Sequence, residues 1–208
     1  MKHHTYIWDL DGTLIDSYGV ISRSLKQAFE ENGTELELSY ILECILRESV
    51  TDFIRKMNPE IGADAMKKRY AQIGTSVMNE IPLVCHAKET LVLLQDAGCT
   101  HFVYTHRGDT SRPILENLGI SDCCKELVTA ESGLLRKPDG SAIEYLVKKY
   151  NLDKNTTFYV GDRTIDMMCA KNAGIQGILY HPEGSVVIPN GDETVVVTDL
   201  LEIVNKDV

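Results

Sequence analysis

The chain has 208 residues, 43% hydrophobic and 25% charged, with a formal net charge of −10. These proportions belong to an ordinary globular domain and exclude a disordered chain, and no stretch approaches the ~20 apolar residues of a membrane span. The acidic balance excludes broad binding to nucleic acid or anionic membranes, which needs clustered Lys and Arg, so an anionic substrate must be drawn in locally by a metal and a few placed cations.

The length suits one α/β domain with a small insertion. Six cysteines lack CxxC or ligand-like spacing, two of them adjacent at Cys123 and Cys124, which fits a reduced, cytoplasmic protein. Met1-Lys2 leads straight into the first strand, so no signal peptide is expected.

Thr5-Tyr6-Ile7-Trp8 is β-branched and aromatic, as in a short buried strand, and Gly12 breaks it. Asp9 and Asp11, two apart, project to one side if the chain stays extended there. Like charges that close need a cation or a task, although an acidic turn is the plainer alternative. Apolar residues at three- and four-residue steps then predict helices from Val20 to Phe29, Leu38 to Leu46, Asp52 to Met57 and Ala63 to Met78. From 17 to 82 the chain reads as all-helical.

Beyond Ala87 helix and strand alternate. Helices are expected at Glu89–Asp96, Thr110–Leu118, Ala142–Tyr150 and Ile165–Ala173, strands at Thr100–Tyr104, Leu127–Thr129, Thr157–Val160, Gly177–Tyr180 and Thr194–Val197, and a short helix through Val204. Such alternation implies a Rossmann-like parallel sheet with helices on both faces. The α/β core is therefore residues 1–16 and 83–208, and the inserted all-helical cap is 17–82.

Three polar segments follow predicted strands. Thr105-His106-Arg107 places a hydroxyl and free backbone donors at the sheet edge; strand-end Thr is usually structural, but there it can also donate to a phosphate oxygen. Arg136-Lys137-Pro138-Asp139 precedes a helix, and Pro138 suits its first turn. Gly161-Asp162-Arg163-Thr164-Ile165-Asp166 carries two acids at a helix start, where capping alone explains an Asp.

Taken with Asp9-Leu10-Asp11-Gly12-Thr13, these segments resemble in order the four motifs of the haloacid dehalogenase superfamily, in its phosphoglycolate phosphatase-like branch with a helical cap. The resemblance implies that Asp9 is the nucleophile and Asp11 the proton-transfer acid and base. It implies that Lys137 and Thr105 stabilise phosphate charge together with backbone amides of Leu10 and Asp11, and that His106 and Arg107 face substrate. It implies Mg²⁺ held by Asp9, Asp162 and the Asp11 carbonyl, with Asp166 supporting the site from further out. Gly140 departs from a proline frequent in relatives, which bears on the helix start.

Cap residues Arg47, Ser49 and Asp52 are candidate specificity contacts, the alternative being an ordinary helix connection with solvated charges. The expected function is hydrolysis of a small phosphomonoester metabolite through an aspartyl-phosphate, by a monomer or weak homodimer. A β-phosphoglucomutase-like phosphomutase is the runner-up, and a non-catalytic phospho-ligand binder stands third. Asp11 disfavours dehalogenation, which needs no acid there.

Overall fold

A computed structural model of the chain describes residues 4–205, which form two compact units: one comprises the chain up to Ile15 and from Leu83 onward, the other Asp16–Pro82. Among the described residues no helix is long and apolar enough to cross a membrane.

The first unit is built on six parallel strands: β1 (Thr5–Trp8), β2 (Thr100–Tyr104), β3 (Cys124–Val128), β4 (Thr157–Gly161), β5 (Gln176–Tyr180) and β6 (Val195–Val197). Their order is β3-β2-β1-β4-β5-β6. The α/β class expected from strand-helix alternation is borne out. β1 sits at the centre, in register with β2 on one side (Trp8 opposite Val103) and β4 on the other (Trp8 opposite Val160). Strand order reverses at β1, so the crevice outside its C-terminal end is where an open α/β sheet binds ligands.

Both faces are covered, which is why β1 and β4 are buried throughout. On one face Ile7, Phe102, Tyr104 and Tyr159 pack against Ala142, Ile143 and Leu146 of one helix (Ser141–Tyr150) and Cys169, Ala170 and Ala173 of the next (Thr164–Ala173). On the other, Tyr6 stacks on Phe158 at 5.5 Å, beside Trp8 and His101. The helix Ala87–Asp96 supplies buried Leu91 and Leu94.

Several element boundaries differ from expectation. β3 begins three residues earlier than its apolar run, because an edge strand carries charges such as Lys125 and Glu126 that mask the strand pattern. The helix after Lys137 begins at Ser141, one residue ahead of its expected start, where Asp139 Oδ1 accepts the Ser141 N–H. Gly140 is needed there for space, since an added Cβ would lie 2.7 Å from the backbone nitrogen of Ala173.

In the second unit four helices, Tyr18–Glu30, Leu38–Arg47, Val50–Met57 and Ala63–Ser76, close around Leu25, Phe29, Ile41, Ile45, Phe53, Ile54 and Met66. Ser49 caps the third helix, its Oγ accepting the Asp52 N–H at 3.1 Å, and Asn58 ends it in the left-handed conformation.

His101 is 1% exposed. Trp8 Nε1 donates to its Nδ1 (3.0 Å), so its Nε2 carries the proton and donates to the Leu91 carbonyl (3.1 Å). Burial pushes its pKa down from 6.5 to about 4, against a smaller raising effect of the Leu91 bond. On acidification through that window the unfolded chain takes up a proton that the native state refuses, so the stability is present above 6.5 and drains away as pH falls. Urea unfolding between those pH values should show a slope shallower by ~1.4 kcal/mol per pH unit in His101→Asn than in the parent protein; parallel slopes would place the acid sensitivity elsewhere.

Candidate active site

Asp9, Thr105 and Asp162 each directly follow the last residue of β1, β2 and β4, the three central strands. The ladder continues one step past each of the first two: Asp9 N–H donates to the Val160 carbonyl (2.8 Å) and Thr105 N–H to the Val128 carbonyl (3.0 Å). All three side chains are therefore anchored at one sheet edge and buried, with Asp9 2% exposed.

After Asp9 the chain turns sharply. Gly12 takes a φ of 83°, the left-handed region open to glycine, and the Leu10 carbonyl accepts N–H groups from Thr13, Leu14 and Ile15. This turn aims Thr13 Oγ1 at Asp162 Oδ1 (3.1 Å). At the far side Gly161 allows the helix start to approach: a Cβ on it would sit 2.5 Å from Asp166 Cγ. Asp166 closes a capping box, its Oδ2 accepting the Arg163 N–H.

At the centre lies Lys137, its side chain without solvent exposure. Its ammonium donates to Asp9 Oδ1 (2.6 Å) and Asp166 Oδ1 (2.8 Å), and stands 5.2 and 5.1 Å from the ring centroids of Tyr104 and Tyr159. Burial works against the charged amine, but Asp166 and Asp9 overcome it and raise its pKa. For Asp9 burial is the largest effect and raises the carboxyl, with Lys137 pulling back and Asp166 pushing the same way as burial; the outcome is about 6, anionic at neutral pH.

The two acids two residues apart have separate cations. Asp11 accepts from Arg107, whose Nε lies 3.1 and 3.2 Å from its two oxygens and whose Nη2 reaches Oδ1. Thr105 Oγ1 accepts the Arg107 N–H (3.0 Å), which leaves its proton to donate elsewhere. His106 turns inward: its Nε2 accepts the Lys137 backbone N–H at 2.8 Å. Arg47 and Ser49 belong to the other unit and have local partners, Glu43 for Arg47 (3.0 Å) and Asp52 for Ser49.

Oxygens of Asp9, Asp162 and Asp166 lie within 4.8 Å of one another. Lys137 offsets one of these three buried carboxylates, and Asp9 Oδ2 is buried without a hydrogen-bond donor. An all-oxygen set with surplus negative charge fits a hard divalent cation. Asp166 has both oxygens engaged by protein donors, so Asp9 and Asp162 are the better-placed donors.

The sequence matches the family described as haloacid dehalogenase-like hydrolase over residues 6–180. The chain belongs to that family. A phosphoglycolate phosphatase of Vibrio cholerae serotype O1 is 28% identical over 222 residues, covering 95% of each chain. A solved hydrolase of Streptococcus pneumoniae TIGR4 is 28% identical with a TM-score of 0.64, covering 86% of this chain and 94% of its own. A predicted phosphoglycolate phosphatase from Haemophilus somnus, 21% identical with a TM-score of 0.78 over 98% of both chains, shares the fold. As a haloacid dehalogenase-like hydrolase with such relatives, the protein is a phosphoric monoester hydrolase. Phosphatases of this family generally use Mg²⁺.

Lys137→Met should strand Asp9 and Asp166 as buried, uncompensated carboxylates and lower unfolding free energy by ~3–5 kcal/mol. The double variant Asp9→Asn, Lys137→Met should regain part of that loss in urea titrations. Additive losses would show that the ion pair is energetically unimportant.

Proposed function

We propose that the protein is a Mg²⁺-dependent phosphatase acting on a small phosphomonoester of the phosphoglycolate class through an aspartyl-phosphate on Asp9. The observation that carries this reading is the asymmetry of the Asp9 carboxylate. Oδ1 is held by Lys137 while Oδ2 has no donor, at the mouth of the central strand. A fixed carboxylate with one unencumbered oxygen is suited to nucleophilic attack.

Asp9 Oδ2 attacks phosphorus, the ester P–O bond breaks, and the departing oxygen takes a proton from Asp11. In the second half Asp11 removes a proton from water as that water attacks phosphorus, releasing phosphate and restoring Asp9. Lys137 and the Thr105 hydroxyl face the charge that develops on the phosphoryl oxygens, and neither must reorient, since each is already fixed at the sheet edge. Asp9, Asp162 and the Asp11 carbonyl would hold the Mg²⁺, which when bound supplies further positive charge against the phosphate. Arg107, lying against the leaving-group acid, suits a leaving group that carries an anion of its own, as the carboxylate of phosphoglycolate does.

Phosphate release from an aryl phosphate and from phosphoglycolate should require Mg²⁺ and fall by at least ~10³-fold in Asp9→Asn. The parent protein should also gain thermal stability from Mg²⁺ in the absence of substrate, and Asp162→Asn should lose that gain. Full turnover in Asp9→Asn would remove Asp9 as nucleophile.

Transfer of the phosphoryl group to water, and not to a sugar hydroxyl, is checked by direct assay. A panel of phosphorylated metabolites, followed in parallel for inorganic phosphate and for isomerised sugar phosphate, should yield inorganic phosphate. Faster conversion of a hexose 1-phosphate to its 6-phosphate would make the protein a mutase instead.

A further inference from the structure

The segment carrying Lys137 has no regular secondary structure, yet its ammonium must reach two carboxylates through a four-carbon stem. It is held at successive points. The Tyr104 hydroxyl donates to the Leu135 carbonyl (3.2 Å), Asn172 Nδ2 to the Pro138 carbonyl (2.8 Å), and the Cys169 thiol contacts the Asp139 carbonyl at 3.1 Å. At Lys137 itself the hold comes from His106, whose Nε2 accepts the backbone N–H at 2.8 Å.

We propose that His106 is a positioning residue for Lys137: by accepting the Lys137 backbone N–H it sets how far the ammonium reaches toward Asp9 and Asp166. A backbone amide within hydrogen-bonding distance requires Nε2 to be unprotonated, which puts the imidazole proton on Nδ1. The surroundings favour that neutral form. Removal from water lowers the pKa most, and Lys137, Arg136 and Arg163 lower it further, with Asp11 acting in the other direction. The ring also packs edge-on against Tyr104, 6.2 Å between centroids, and Tyr104 flanks the Lys137 ammonium. One imidazole thus ties the segment after β2 to the loop that delivers the cation, and its Nε2 is committed inside the protein. A small shift in the position of a charge-stabilising group is costly in rate, ~100-fold for about 1 Å.

The kinetic half of this inference rests on the proposed phosphatase reaction; the structural half does not. His106→Phe keeps a ring against Tyr104 but offers no acceptor. His106→Gln can place its carbonyl oxygen near the Nε2 position. In the substrate-free full-length protein, hydrogen–deuterium exchange at the Lys137 amide should quicken roughly tenfold in His106→Phe and return toward the parent rate in His106→Gln. On aryl phosphate and phosphoglycolate alike, kcat should fall ~100-fold in His106→Phe with KM within about threefold, and His106→Gln should recover most of kcat. Unchanged exchange, or faster exchange with full kcat, in folded His106→Phe would overturn the proposal. So would a folded His106→Gln as impaired as His106→Phe, or a loss confined to one substrate, which would mean direct contact with the leaving group. If the parent protein releases no phosphate from any ester, the proposed function fails, and the exchange result still decides whether His106 holds Lys137.

Discussion

The buried ammonium of Lys137, set between Asp9 and Asp166, is the constraint on which the rest of the site depends. Three carboxylates have been taken out of water at the end of one strand triplet, an arrangement that costs several kcal/mol per ion unless opposite charge is placed among them. Everything around Lys137 serves that placement. Tyr104 and Tyr159 flank its ammonium, the Tyr159 hydroxyl reaches the Tyr104 carbonyl and Asp166, and Gly161 lets the helix bearing Asp166 come close enough to be reached. The sheet supplies rigidity, since Asp9 extends a strand paired on both sides.

That arrangement divides labour between two acids two residues apart in sequence. Asp9 lies inside, its charge shared with Lys137; Asp11 lies further out, its charge shared with Arg107. Separate cations relieve the repulsion that two nearby carboxylates would otherwise feel and keep each in its own orientation. The sharp turn at Gly12 makes the separation possible.

Much of this was legible before any coordinates. Strand-helix alternation revealed the parallel sheet because buried strands read as apolar runs, and the strand-end positions of Asp9, Thr105 and Asp162 followed from where those runs stop. What could not be read was long-range pairing. Nothing local marks Thr13 as a donor to Asp162, Tyr104 and Tyr159 as the walls around Lys137, or Arg107 as the partner of Asp11; each depends on residues far apart in sequence meeting across strand ends. Capping was only half visible: Ser49 starts a helix two residues before the apolar period does.

The strand order has a consequence for folding. The two neighbours of β1 are β2 and β4, so Thr5 meets Thr100 on one side and Thr157 on the other, both far along the chain. Loop closure over such spans is slow and entropically costly, whereas the four helices of Asp16–Pro82 are joined by short connections and collapse early. Asp9 therefore gains its place at the sheet edge only once β4 has paired with β1, and a chain lacking β4 would keep Lys137 yet lose the Val160 carbonyl that anchors the Asp9 backbone.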